Sequence, residues 1–163
     1  MTLAKIISEG QTGVDRGALD TALEIGFPCG GWCPPGREAE DGAIPDCYPV
    51  QELASGSYRR RTLQNVLDSD GTLVVHFGEL EGVTGQTLRH CGRLGKPCIR
   101  TDATAVPIEN AATLVAAFIA EHRTKILNVA RPRASKEPHG HGYTQALMLE
   151  VLRSAVSSFP STG

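Results

Sequence analysis

Short apolar, β-branched runs alternate with longer helix-patterned stretches along this chain, the signature of successive βαβ units. The runs predict five strands, at about residues 3–8, 27–30, 72–77, 97–100 and 125–129. Helices fill the intervals, at about 16–25, 57–68, 84–94, 108–122 and 143–157. Residues 111–119 are almost continuously apolar, so the fourth helix is expected to be well buried. Strands linked by crossover helices pair in parallel and need both faces covered. The expected fold is therefore α/β: one Rossmann-like, three-layer αβα domain, residues 1–158, around a mainly parallel five-stranded sheet. One stretch breaks the rhythm. Residues 31–54 are dense in glycine and proline, with Pro34-Pro35-Gly36, Gly42, Pro45 and Pro49, and show no period. A loop of that length reads either as functional or as a solvent-exposed insertion. Residues 159–163 read as a frayed tail.

Composition narrows the function classes. A length of 163 residues suffices for one sizeable core. The 16 basic and 18 acidic side chains leave a net charge of −2, too little to gather nucleic acid, and Arg59-Arg60-Arg61 is a short basic run. The apolar runs are too short to span a membrane and the first residues lack the pattern of an export signal, so a cytoplasmic protein is expected. Five cysteines (Cys29, Cys33, Cys47, Cys91, Cys98) are an odd number in such a chain and are expected as free thiols. Neither the first three of these nor the His139 and His141 pair has the spacing of a common metal site, so no intrinsic metal is expected.

In a parallel sheet, ligands sit beyond the carboxyl ends of the strands, and three loops at those ends carry unusual residues. The first, Gly10-Gln11-Thr12-Gly13, allows close backbone approach and runs into a helix whose first N–H groups face an anion. Asp15 at its end suits either the ligand or the helix N-cap. The second, residues 78–87, contains Gly82, Thr84, Gly85 and Thr87, and its hydroxyls can bind a phosphate or cap the helix. The third, residues 130–143, supplies Arg131, Arg133, Ser135 and Lys136, donors suited to an anionic ligand. Gly-x-Gly-x-x-Gly order, a P-loop and a nucleophile elbow are all missing.

Four stretches carry a family resemblance: Gly10 to Asp20; Gly30-Gly31-Trp32-Cys33-Pro34-Pro35-Gly36 to Gly42; Arg61-Thr62 with Asn65-Val66 and Asp68-Ser69-Asp70-Gly71-Thr72; and Arg131-Pro132-Arg133-Ala134-Ser135-Lys136. In this the chain resembles the proteins named molybdenum carriers, a circularly permuted YpsA-like branch of the SLOG superfamily. The resemblance implies that the strand opening this fold in LOG-type relatives lies here near residue 125, at the C-terminal end. The implied sheet order is then 2-1-5-3-4, which makes the three loops neighbours. LOG-type relatives are nucleoside monophosphate phosphoribohydrolases that use an arginine and a glutamate. Arg61, nine residues before Asp70, resembles that arginine. The glutamate has no counterpart, because Gly82-Val83-Thr84 is followed by Gly85-Gln86-Thr87, and a neutral amide cannot stabilise an oxocarbenium-like centre as a carboxylate does.

The resemblance therefore implies a binding protein for a phosphorylated nucleotide- or pterin-type ligand, with the molybdenum cofactor or a related species as the named cargo. Its phosphate would sit on the Gly10–Gly13 and Gly82–Thr87 turns. Arg61, Arg133, Ser135 and Lys136 would clamp the charge, and Trp32 would either cover a flat ring or anchor the core. The alternatives are a nucleotide N-glycosidase, using Arg61 with Glu79, Glu81 or Asp15, and a nucleotide-signal sensor. LOG-like relatives pair through helices, which makes a homodimer or a higher homo-oligomer the expected assembly.

Overall fold

A computed structural model of the chain describes residues 2–55, 58–80 and 82–157. Strand β1 (Lys5–Ile7) leads into α1 (Val14–Ile25), which Gly26 closes in the left-handed conformation, its N–H returning to the carbonyls of Ala22 and Leu23. The short β2 (Cys29–Gly30) follows, and then come β3 (Trp32–Cys33), β4 (Glu38–Ala39), β5 (Gly42–Ala43) and β6 (Gln51–Glu52). The second half alternates regularly: α2 (Tyr58–Leu67), β7 (Gly71–His76), α3 (Gly82–Leu94), β8 (Cys98–Asp102), α4 (Ile108–His122), β9 (Ile126–Ala130) and α5 (Gly140–Ser157).

The main sheet has the order β2-β1-β9-β7-β8, and every pairing in it is parallel. Counting only the five long-range strands, this is 2-1-5-3-4, the permuted order implied by the resemblance. The last strand is central because β9 pairs with β1 on one side and β7 on the other. Asp70, the residue that opens β7 in the sequence pattern, accepts the backbone N–H groups of Lys125 and Ile126 at 3.0 and 2.9 Å. It thus fastens the starts of β7 and β9 together at the edge opposite the three loops.

Alternation along the strands divides the two faces. Ile6, Leu73, Val75, Leu127 and Val129 pack with Ala18, Ala22, Val115, Ile119, Leu147 and Val151 of α1, α4 and α5 in one apolar cluster. Thr72, one residue out of phase with Leu73, faces instead the Cys91 thiol of α3. The five cysteines are free, and the Cys91 and Cys98 thiols hydrogen-bond to each other. α4 is less buried than its apolar run predicts: Ala111, Val115, Phe118 and Ile119 form one buried stripe, while Leu114 on the outer side is 54% exposed.

Residues 31–54, which show no period in sequence, are ordered by short pairings and a small core of their own. They form two small two-stranded sheets, β3 with β6 and β4 with β5, and bury Cys33, Ile44, Tyr48 and Val50 against Leu19. Periodicity does not reveal this order because much of it comes from contacts that follow no repeat, those of one arginine above all. The Arg37 guanidinium donates to the carbonyls of Ile44, Val50, Pro45 and Tyr48 at 3.0, 2.9, 2.8 and 3.0 Å. Two helix starts also differ from expectation. α1 begins at Val14 with Gly13 as its N-cap, so Asp15 is not the cap, and α3 begins at Gly82, which places Thr84 within the first turn. The 159–163 tail and Glu81 lie outside the described residues.

Candidate functional site

Because β1, β9 and β7 are adjacent and parallel, their carboxyl ends bring Glu9, Arg131 and His76 to one edge of the sheet. Glu9 is 4 % exposed, and an isolated carboxylate so placed would be costly. It is compensated from two elements. Arg61 of α2 donates Nε–H to Glu9 Oε2 at 3.0 Å, and the Thr62 hydroxyl donates to Oε1 at 2.6 Å. From the β9–α5 loop, Arg131 Nη2 lies 3.1 and 3.2 Å from the two carboxylate oxygens and 2.6 Å from Thr62 Oγ1. One carboxylate therefore orients two guanidiniums contributed by segments 70 residues apart in sequence.

Asp15 lies beside this cluster, accepting the backbone N–H groups of Gln11 at 3.3 Å and Arg131 at 3.4 Å. Burial, and next the charge of Glu9, push its carboxyl up to about 6, against the pull of Arg131. Arg131 has φ 56, a left-handed conformation uncommon for a side chain of this size. The surrounding bonds to Glu9, Thr62 and Asp15 hold it there.

Two concavities open on this edge. The larger, about 670 Å³, is lined by His76, Phe77 and Glu79 on one side and by Arg131, Arg133 and Lys136 on the other, with Gly82 and Thr84 at the start of α3. His76 Nδ1 lies 2.7 Å from the carbonyl of Gly78, which can only accept, so Nδ1 carries the proton. The turn itself is held by Asp102, which accepts from the N–H groups of Gly78 and Thr104 and from the Thr104 hydroxyl. These bonds hold the Asp102 carboxyl down at about 2. The smaller concavity, about 480 Å³, is lined by Gln11, Pro34, Glu40, Arg61 and Arg133 among others. Arg133 thus borders both.

The structure brings together Gln11, Arg61, Gly82, Thr84, Glu79, Arg133 and Lys136 around these openings. Thr12 and Ser135 meet beside them, both donating hydroxyl hydrogen bonds to Glu40. Other expected residues take internal places. Gly10 has φ 74 and faces Ile44 and Val50. A Cβ on Gly13 would stand 2.5 Å from the carbonyl oxygen of Pro132 and 2.8 Å from the Ala134 nitrogen, so its lack of a side chain lets the first loop touch the third. Trp32 donates its indole N–H to Asp68 at 2.6 Å and is bonded through its backbone to Asn65, which anchors it on α2. Thr87 is fully buried in α3, and Gly85 is half-buried one turn inside it.

Sequence reasoning missed Glu9, Glu40 and His76. Glu9 had a signal, a charged side chain directly after an apolar strand at the ligand edge, and His76 a similar one, a polar side chain closing the apolar run of β7. Glu40 had none, because its partners lie 28 and 95 residues away.

Fold and loops together define a Rossmann-like α/β domain with a cleft lined by both basic and acidic side chains at the carboxyl edge of a permuted parallel sheet. The chain belongs to the circularly permutated YpsA SLOG family, which it matches over residues 6–152. It is also similar to the crystal structure, at 1.45 Å resolution, of a protein named "Putative molybdenum carrier protein" from Syntrophus aciditrophicus SB. The two share 44% identity with a TM-score of 0.90, over 93% of this chain and 96% of that one. No curated protein matches the chain.

Proposed function

We propose that this chain binds a phosphorylated nucleotide- or pterin-type ligand, with the molybdenum cofactor or a related molybdenum species as cargo, in keeping with the name of its structural neighbour. The observation that carries the reading is the polarity of the larger cavity. Arg133 and Lys136, next to the Glu9-paired Arg131, line one part of it with Glu137, and Phe77 with His76 and Glu79 another, so an anionic group and a flat ring each find a wall. The volume of about 670 Å³ suits a nucleotide-sized ligand better than a tetrahedral anion alone. The donors are N–H and O–H groups, and among the described residues no three His, Cys, Asp or Glu side chains gather as metal ligands. Such a set holds a phosphate or an oxyanion, and a molybdenum atom would arrive with its own ligands.

Calorimetric titration with adenosine 5′-monophosphate, a pterin monophosphate and molybdate tests this. A phosphorylated heterocycle should bind at least roughly tenfold more tightly than molybdate. Equal binding of molybdate, or binding of none of the three, overturns the reading. The same proposal takes the protein as cytoplasmic and homodimeric, and sedimentation measures the second point. Among the described residues no helix is long and apolar enough to cross a membrane.

A second reading, hydrolysis of a nucleotide N-glycosidic bond, draws on Glu79 beside His76 in that cavity. It expects free base from nucleoside monophosphates and none from a Glu79→Gln variant. Arg61 is committed to Glu9, which suits a positioning role better than direct contact with a sugar.

A further inference from the structure

β4 and β5 form an antiparallel hairpin in which Ala39 pairs with Gly42, so Glu40 and Asp41 are the two residues at its tip. The two carboxylates have different occupations. Asp41 receives a two-pronged bond from Arg16, with Nη1 to Oδ2 at 2.6 Å and Nη2 to Oδ1 at 2.9 Å, while Arg16 Nε holds the Gly10 carbonyl at 3.0 Å. This fixes the hairpin to the first ligand loop. Glu40 reaches past it into the junction of the first and third loops. Its Oε1 accepts from the Thr12 hydroxyl and, at 3.1 Å, from the backbone N–H of Ser135, and its Oε2 accepts from the Ser135 hydroxyl.

Those three donors, with the Arg133 charge nearby, form what an oxyanion requires: converging N–H and O–H groups from two loops beside a guanidinium. Thr12 is itself held by the Ala134 N–H at 3.2 Å, so its hydroxyl hydrogen is free to point at the anion. A carboxylate presents two oxygens about as a phosphate monoester presents two of its three. Glu40 is nevertheless solvent-exposed, and an exposed glutamate gains little from staying bound.

We infer that Thr12 and Ser135 form an oxyanion seat at the edge of the smaller concavity, which Glu40 lines and Arg133 joins to the larger one, that Glu40 fills it as an internal surrogate, and that the phosphate or similar oxyanion of a ligand reaching across Arg133 enters by displacing that carboxylate. This rests on the reading that the loops hold an anionic ligand. The exchange requires only rotation of the Glu40 side chain, because Asp41 keeps the hairpin tethered to Arg16. The displaced carboxylate swings into water and regains its hydration, and the incoming oxyanion inherits all three donors. Glu40 thus sets a threshold: only an anion able to outcompete a tethered carboxylate is retained. The hydrogen bonds from Ser135 and Thr12 hold the Glu40 carboxyl below its ordinary range, so the surrogate stays ionised.

The test is titration of wild type and of Glu40→Ala with inorganic phosphate and with adenosine 5′-monophosphate. Asp46→Ala, an equal loss of negative charge on an exposed residue of the same segment outside the seat, serves as the control. Glu40→Ala should bind both probes roughly tenfold more tightly, the scale of one net hydrogen bond to a charged group. Asp46→Ala should change neither by more than about twofold. Adding Ser135→Ala to Glu40→Ala should cancel most of the gain. If wild type binds but Glu40→Ala gains nothing, or gains no more than Asp46→Ala, the surrogate role fails and the binding function stands. If no variant binds either probe, both fail.

Discussion

Arg131 and Glu9 form a two-oxygen contact, Nη2 to the carboxylate at 3.1 and 3.2 Å, with both residues buried. The contact ties the end of the central strand β9 to the end of β1, and through Arg61 it reaches α2 as well. Two of the cations at the candidate site, Arg61 and Arg131, are thus held by one buried carboxylate, and their geometry is set before any ligand arrives.

Replacing that carboxylate tests how far the arrangement also supports the fold. Glu9→Gln keeps the shape but leaves two buried guanidiniums facing a neutral amide. Breaking a buried ion pair from one side costs about 3–5 kcal/mol. Urea denaturation of the variant should show a loss in that range with an unchanged slope. A loss below about 1 kcal/mol would mean that water, not Glu9, compensates the arginines.

Asp15 carries a pH dependence of opposite sign to most acidic groups. Its carboxyl, usually near 3.8, is pushed up to about 6 in the folded chain by burial and by Glu9. The native state therefore binds this proton more tightly than the unfolded chain does. The stability it contributes is fully present below about pH 3.8 and is lost as pH rises through about 6. Glu40, Asp41 and Asp102, all held low by hydrogen bonds, act in the opposite direction at lower pH. Subtracting the stability curve of Asp15→Asn from that of wild type removes those common contributions. The difference should fall as pH increases from about 4 to about 6 and then level off. A flat difference would show that Asp15 ionises as in the unfolded chain, and a rising one that its carboxyl is held low instead; either overturns the prediction.

The sheet was legible because its determinants are local and periodic: apolar runs mark the strands, and the glycine turns after residues 8 and 77 mark where they end. The family pattern then supplied the permuted order. The site was legible by segment and only partly by residue. Thr12, Arg133, Ser135 and Lys136 gather where their loops imply, whereas Gly13 and Trp32 turned out to serve contacts between loops and helices. What escaped depends on pairs distant in sequence. Glu9 needs Arg61 and Arg131, Glu40 needs Thr12 and Ser135, and residues 31–54 need Arg37 to gather carbonyls from Ile44 to Val50, so the roles of these side chains follow no local period.

Arg37 makes that last dependence measurable. Its guanidinium satisfies four carbonyls, and its own carbonyl accepts the Ile44 N–H at 2.7 Å. Arg37→Ala should speed amide hydrogen exchange across residues 44–53 by tenfold or more, for roughly 2 kcal/mol of local stability. Amides in β7 and β9, which Arg37 does not touch, should keep their protection. Uniform acceleration through the sheet would instead mean that the segment and the core unfold as one unit.

Gly13 and Lys136 separate the loop scaffold from the ligand contacts. Read from sequence alone, both belong to the binding surface, and substitution of either should weaken affinity with the fold intact. The structure distinguishes them. A methyl group on Gly13 would meet the Pro132 carbonyl oxygen at 2.5 Å, at φ 85, where only glycine is comfortable. The first or third loop must then move. Gly13→Ala should lower stability by roughly 2 kcal/mol and weaken ligand binding with it. Lys136 is exposed at the rim of the larger cavity. Lys136→Ala should leave the thermal midpoint within a degree or so of wild type, as surface substitutions do. It should also reduce affinity for adenosine 5′-monophosphate by roughly tenfold, the worth of one charge-assisted hydrogen bond. Midpoints from calorimetry and affinities from titration on the same preparations decide the matter. If Gly13→Ala keeps the wild-type midpoint, the close approach of the two loops is not what that glycine provides.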